Sequence, residues 1–488
     1  MRKTLPIAVA FAIAATAVPG LAQGATPGSS VKWGECPAGV HAPGMQCANL
    51  DVPLDHRKPD GQKIHVAISR LASKNPAKRR GVLLTNPGGP GGFGLDFPAL
   101  LAALGLPQSV LDSYDIIGFD PRGVGRSTPV TCNLTQDQQY RGNVPPYARD
   151  AAEVAKHAEQ AKIFAKQCAE SKTAYMLPHT TTANTARDMD RIREALGEKK
   201  ISFIGYSYGT HLGAVYATLF PQRGDRVVLD SSLVPAGLDA EGGRLFARGL
   251  EDRFPDFATF AAAHPEYGLG STPEQVRAKY SDLAARLDRA PVQGVDGSAF
   301  RLLTFGYTYS DGQFPALVET WRALDKDKPL PPTPAPQDLD NKVSSHHYVI
   351  CNDSRWPRSV ESYQRDVAAD RVRYPLFGAA AANIRPCAFW QSEPLEPPVR
   401  VGDRGPSNVL IAQNTRDPGT PLVGAQQMRR ALGDRARMVT ADQGGHGVYV
   451  FAPNKCANDA VTAFLTEGKR PARDIVCAAE PVSASAGR

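Results

Sequence analysis

Lys200-Ile201-Ser202-Phe203-Ile204 runs without a break into Gly205-Tyr206-Ser207-Tyr208-Gly209, and a stretch carrying Leu212, Ala214, Val215, Ala217 and Leu219 follows. An apolar run, a tight turn and a helical stretch form the context in which a G-x-S-x-G pattern carries chemical meaning. Glycine is needed on both sides because a turn from strand to helix crowds its neighbours, and a Cβ there would clash. The turn aims the Ser207 hydroxyl out over the edge of the sheet, and the helix N-terminus favours negative charge developing beside it. A bare G-x-S-x-G is frequent by chance, and the competing reading is an inert Gly-rich turn. Partners elsewhere in the chain decide between them.

The same kind of run recurs. Gly81–Thr85, Tyr114–Phe119, Arg226–Leu229, Asn408–Ala412 and Arg437–Thr440 are short, apolar and closed by Gly, Pro or Asp, as strands buried on both faces of a parallel sheet are. Gln62–Leu71 alternates Ile64, Val66 and Ile68 with His65, Ala67 and Ser69, the pattern of a half-exposed antiparallel strand. Thr182–Leu196 reads as a helix, with threonine at its start and Gly197 after its end. Strands alternating with helices predict an α/β fold with a mostly parallel sheet. Between Leu233 and Pro406 the pattern changes to helical stretches such as Pro273–Arg289 and Val360–Val372, separated by proline-rich spacers. The expected organisation is therefore a sheet domain split in sequence (31–233 and 407–480), with 234–406 as a mainly helical lid inserted over it.

A serine nucleophile needs a base, and in this architecture the acid and then the histidine follow the serine in sequence. Asp417 lies in the turn after the run Asn408–Ala412, within Asn414-Thr415-Arg416-Asp417-Pro418-Gly419. His446 lies after Arg437–Thr440, within Gly444-Gly445-His446-Gly447. His446 is expected to act as general base and then acid, with Asp417 setting its tautomer and stabilising the imidazolium. An Asp before Pro is also a common turn former, and a His between glycines a common loop residue. However, Asp403 precedes its strand and falls at the wrong end of the sheet, and only His446 follows the last strand-like run. An oxyanion hole needs backbone N–H groups. Tyr208 should supply one, and the glycine-rich loop Asn86-Pro87-Gly88-Gly89-Pro90-Gly91-Gly92 the other, with Gly89 favoured and Gly88 next. A phosphate loop is disfavoured because neither G-K-[ST] nor G-x-G-x-x-G occurs there.

Arg2 and Lys3, the apolar stretch Leu5–Val18 and the small residues around Gly20 and Ala22 have the order of a secretory signal. This predicts a signal peptide within 1–25, cleaved after Ala22 or at Gly24 or Ala25, and a secreted, extracellular protein. Too few apolar residues follow one another anywhere for a membrane span, so no stable membrane insertion is expected. In an oxidising compartment the eight cysteines read as disulfides, not as metal ligands. Eight cysteines allow 105 pairings, but the gaps group them as Cys36 with Cys47, Cys132 with Cys168, Cys351 with Cys387, and Cys456 with Cys477. The net charge of +7 arises from 56 basic residues scattered among 49 acidic ones. That is a solvated surface and argues against a nucleic-acid partner. The chemistry requires no cofactor, and no metal-ligand spacing is present.

Taken together, Asn86–Gly92, Asp120-Pro121-Arg122-Gly123-Val124-Gly125-Arg126-Ser127, the Gly205–Gly209 turn, Asp417 and His446 resemble an α/β-hydrolase. More narrowly they resemble the prolyl-aminopeptidase-related serine peptidases, above all the secreted bacterial tripeptidyl aminopeptidases. The likeness runs from Trp33-Gly34-Glu35-Cys36 to Cys477 and takes in Thr180–Gly197 and Cys351-Asn352-Asp353. Prolyl aminopeptidases carry a histidine where this chain has Pro87, which favours the tripeptidyl branch. The resemblance implies a serine exopeptidase that releases short peptides, tripeptides above all, from the free N-termini of peptides or proteins. Such an enzyme must hold the substrate α-ammonium, and a buried carboxylate does that best. Glu35, Asp353, Glu241 and Glu251 are the candidates. An esterase or amidase with the same triad is the rival enzyme reading, and a binding protein on this fold is a rival of another class. Such binding proteins usually lose a triad member, and this chain keeps all three.

Overall fold

The computed structural model describes residues 30–40, 42–139, 144–331 and 338–480. The expected signal peptide lies outside them. Nine strands form one sheet: β1 Met45–Pro53, β2 Lys63–Leu71, β3 Gly81–Asn86, β4 Tyr114–Phe119, β5 Ile201–Tyr206, β6 Gly224–Asp230, β7 Val409–Arg416, β8 Ala436–Gly444 and β9 Ile475–Cys477. Their spatial order is β1-β2-β4-β3-β5-β6-β7-β8-β9. β2 pairs antiparallel with both β1 and β4, and every other neighbouring pair is parallel. This is the α/β-hydrolase sheet. The apolar runs are buried on both faces because successive side chains point to opposite sides. Thus Val82, Leu84, Phe203, Val409 and Ile411 join one core, while Leu83, Ile204, Leu410 and Ala412 join the other.

Periodicity did not reveal the short β9, nor did it reveal β1. Its sequence MQCANLDVP mixes polar and apolar residues because it forms one edge of the sheet and is only partly covered. At the other edge, β9 continues the parallel pairing.

Among the described residues the chain between β6 and β7 contains no strand of the sheet. It runs through the helices Ala240–Ala262, Pro273–Arg289, Gly297–Tyr307, Phe314–Asp325, Asp340–Asp353 and Val360–Arg373. These bury an aromatic core of their own around Trp321, with Phe257 at 5.0 Å, Phe300 at 5.4 Å and Tyr280 at 5.7 Å between ring centroids. A second excursion, between β4 and β5, adds the helix Ala151–Glu170. Its Val154 and Ala158 pack against Tyr363, Val367 and Ile384 of the larger insertion. Asn383 Nδ2 of that insertion donates to Pro146 O at 2.7 Å. The helical layer is therefore built from two stretches of chain.

Arg122, from the Asp120–Ser127 motif, is fully buried. It donates to both oxygens of Asp188 at 2.7 and 2.6 Å and to the carbonyls of Leu54, His179 and Pro53. Asp120 accepts from the N–H groups of Gly94, Leu95 and Arg126. Asp120 thus fastens the chain just after the glycine-rich loop, and Arg122 ties the end of β1 to Asp188 and His179, so the motif is part of the frame.

Sulfur atoms lie at bonding distance in Cys36–Cys47, Cys132–Cys168, Cys351–Cys387 and Cys456–Cys477, closing separations of 11, 36, 36 and 21 positions. Those are the couples that the sequence spacing favours. Each restricts the unfolded chain and contributes roughly 2–4 kcal/mol on a loop-entropy basis. The purified protein is expected to show no free thiol when denatured, and reduction should lower its melting temperature by many degrees. Stoichiometric free thiol would contradict the pairing.

Candidate active site

β5 ends at Tyr206, and the helix Tyr208–Leu219 begins two residues later. Ser207 between them has φ 55° and ψ −124°, a left-handed conformation that costs a non-glycine residue energy and is kept only where its surroundings enforce it. The flanking glycines do so. A Cβ on Gly205 would stand 2.3 Å from Gly209 O, and one on Gly209 would stand 2.9 Å from Asn86 O. Ser207 N donates to Asp230 O at 3.0 Å, and Ser207 O accepts from Thr210 N at 2.9 Å. The Ser207 hydroxyl makes no hydrogen bond among the described residues.

The glycine-rich loop after β3 approaches the same turn. A Cβ on Gly88 would lie 2.9 Å from Ser207 Cβ and 3.2 Å from Tyr208 N. Gly88 N is occupied, donating to Asn86 Oδ1 at 3.0 Å. The N–H of Gly89 makes no hydrogen bond among the described residues.

Asp417 follows β7 and is fully buried. Its Oδ1 accepts from Gly419 N and Thr420 N, each at 2.8 Å, and its Oδ2 from Thr420 Oγ1 at 3.0 Å. Both carboxylate oxygens also face His446 Nδ1, at 2.9 and 3.0 Å. Four donors hold this carboxylate in one orientation. His446 sits between Gly445 at φ 98° and Gly447 at φ 93°, the backbone freedom that lets its loop fold back. From the helical insertion, Tyr309 O accepts from His446 N at 2.8 Å, and the Tyr309 ring lies edge-on to the imidazole at 4.8 Å. Asp403, the rival acid, lies instead beside Gly433 at the opposite end of the sheet.

A residue not singled out from the sequence joins these elements. Asp230 closes β6 and is fully buried. Its side chain accepts from Val448 N and Tyr449 N, both at 2.8 Å, while Ser231 Oγ accepts from Gly447 N at 2.8 Å. Three successive N–H groups after His446 are thereby seated on the end of β6. The Asp230 carbonyl accepts from Ser207 N at the same time. One residue thus fixes the histidine loop with its side chain and the serine turn with its backbone. Burial pushes the Asp230 carboxyl up to about 7 despite those donors. Burial also opposes charge on His446, but the charge and hydrogen bond of Asp417 and the charge of Asp230 outweigh it and raise the imidazole above its ordinary value.

The chain is 35% identical to a tripeptidyl aminopeptidase of Streptomyces lividans over 92% of its own length and 87% of the relative's. The chain belongs to the tripeptidyl aminopeptidase-like family. The family described as TAP-like protein matches residues 374–477, the segment that holds Asp417 and His446. Serine protease Hip1 of Mycobacterium tuberculosis is 30% identical over 92% of this chain and 91% of its own. Carboxylesterase B of the same organism is 30% identical over 97% and 95%.

Of the four carboxylates considered for amine binding, this tripeptidyl aminopeptidase-like chain exposes Glu35 and leaves the Glu241 side chain 81% exposed. Glu251 is committed to Arg277 at 2.7 Å and to Leu376 N at 2.9 Å. Asp353 is half-buried, burial pushes its carboxyl up to about 6, and it has no cationic partner among the described residues. No group of three or more His, Cys, Asp or Glu among the described residues is placed to hold a metal ion. No helix among them is long and apolar enough to cross a membrane.

Proposed function

We propose that this chain is a secreted serine exopeptidase that releases short peptides, chiefly tripeptides, from free N-termini. The observation that carries the reading is the fully buried Asp417 held against His446 Nδ1, on a loop that Asp230 ties to the backbone of Ser207. In the proposed reaction Ser207 Oγ attacks the scissile carbonyl carbon and gives its proton to His446 Nε2. The carbonyl oxygen becomes an oxyanion that the N–H groups of Tyr208 and Gly89 receive. Tyr208 opens its helix, so its N–H has no intrahelical acceptor, and Gly89 N is uncommitted whereas Gly88 N is not. The intermediate collapses, the C–N bond breaks, and His446 protonates the departing amine. Water then enters by the same route in reverse and frees the peptide acid from Ser207. The ion pair with Asp417 stabilises the imidazolium at both stages.

The helical stretch 234–406 acts in this reading as a lid, since its Tyr309 touches His446 by backbone and ring. Four disulfides suit an oxidising compartment and support secretion. The likeness to a carboxylesterase favours an ester-hydrolase reading as the alternative. Comparing a tripeptidyl p-nitroanilide with its N-acetylated form separates the two. The exopeptidase is expected to lose about a hundredfold or more in kcat/KM on acetylation, because a buried carboxylate then faces no ammonium. Equal turnover of both forms, or turnover of simple esters only, would favour the esterase.

A further inference from the structure

A cavity of about 170 Å³ lies where the helices Thr182–Ala195 and Tyr208–Leu219 meet the end of the helix Asp340–Asp353. Its charged lining is unbalanced. Two guanidiniums and four carboxylates face it. Arg187 is gripped by both oxygens of Glu396 at 2.6 and 2.8 Å, and Arg57 by Asp55 at 2.9 Å through two nitrogens. This leaves Asp239 and Asp353 without a cation. Asp239 caps the helix Ala240–Ala262 through Gly242 N at 2.7 Å. Among the described residues Asp353 accepts only from Thr182 N at 2.7 Å and Thr182 Oγ1 at 2.5 Å. A second side chain in the same lining also has unused capacity. His211 is 6% exposed, and its Nδ1 has no hydrogen-bond partner. Burial pushes its imidazole down to about 4, so the ring is neutral and offers no competing positive charge.

A hydrogen-bonded chain links Asp353, in the cavity lining, to the residue that follows Ser207. Tyr208 follows Ser207, is buried, and its hydroxyl lies 2.5 Å from Thr182 Oγ1, which in turn donates to Asp353. The separation of serine and carboxylate is therefore one tyrosine side chain and two hydrogen bonds. A single N-terminal residue cannot bridge that, whereas three extended residues span roughly 10 Å.

We propose that Asp353, aided by His211, binds the α-ammonium of the substrate three residues before the scissile bond, and that Tyr208 sets this length. The inference rests on the exopeptidase reading and names the part of the site that makes it tripeptidyl. An Asn at 353 can still accept from Thr182 N, and its NH₂ can donate to Thr182 Oγ1 if that hydroxyl turns toward Tyr208. Asp353→Asn therefore removes the charge and keeps the packing. In the full mature chain, D353N is expected to lower kcat/KM for trialanyl p-nitroanilide on the order of a hundredfold, mostly through KM. Turnover of the N-acetylated form and the rate of labelling by a fluorophosphonate should stay as in the unmodified enzyme. A measurement that needs no variant runs beside it: free trialanine should inhibit far better than N-acetyl-trialanine. If the unmodified enzyme makes no distinction between free and acetylated substrates, the exopeptidase reading itself fails. If it does distinguish them and D353N keeps the full distinction, the assignment of Asp353 alone is overturned.

Discussion

Ser207→Ala is expected to reduce peptide hydrolysis by about a millionfold while leaving the melting temperature within a degree or two, since members of a triad act as a unit. The hydroxyl makes no hydrogen bond among the described residues, so its removal takes nothing from the fold. The backbone of the turn, which glycines and Asp230 hold, does not depend on it. His446→Ala should be as damaging, because without a base the serine stays protonated. The double variant should be no worse than either single one. Steady-state kinetics with thermal melts on the three variants checks this, and near-native turnover by either single variant would remove that residue from the mechanism.

Asp417→Asn is expected to cost about 10⁴-fold in kcat, because the amide favours the wrong imidazole tautomer and leaves the imidazolium unpaired. The instructive comparison is Asp230→Asn. Asp230 also lies close enough to His446 to raise its proton affinity, yet its oxygens face Val448 N and Tyr449 N rather than the ring. An amide there would oppose one of those N–H groups donor to donor, a loss of about ten- to a hundredfold through a displaced loop. The sign of the pH effect follows from the same contacts. In the proposed mechanism the base is neutral His446, so kcat/KM should fall as pH drops through the imidazole pKa. Removing the Asp230 charge lowers that pKa, and the acidic limb should move to lower pH in D230N. An inactive D230N enzyme beside a D417N enzyme that retains activity would exchange the roles of the two carboxylates.

Ser207, Asp417 and His446 stood out in the sequence as candidates because each follows a continuous apolar run and they occur in the order serine, acid, histidine. The strands between them were legible for the same reason: residues such as Phe203, Ile204 and Leu410 are buried whichever face they meet. Asp230 was not. In Val227-Val228-Leu229-Asp230 it reads as the polar stop of a strand, and its work is done 218 residues away at Val448 N. No local pattern encodes such a contact. The stretch that forms the helix Ala151–Glu170 likewise fell within 31–233, the part assigned to the sheet domain, because its packing on Tyr363 and Val367 leaves no local pattern. Asp353 stood among four candidates that differ in sequence hardly at all. Burial and the lack of a cationic partner separate it from Glu35, Glu241 and Glu251, and neither property can be read from a single chain of letters. The preference for Gly89 over Gly88 also gains its reason only from Asn86 Oδ1, which occupies Gly88 N.

The most direct measurement is stoichiometric labelling of the native mature protein with a fluorophosphonate, followed by peptide mapping. One mole of label per mole of protein is expected on Ser207, with loss of peptidase activity in proportion and protection by a free tripeptide. No label, or label on a residue other than Ser207 while activity is lost, would contradict a serine peptidase built on this turn.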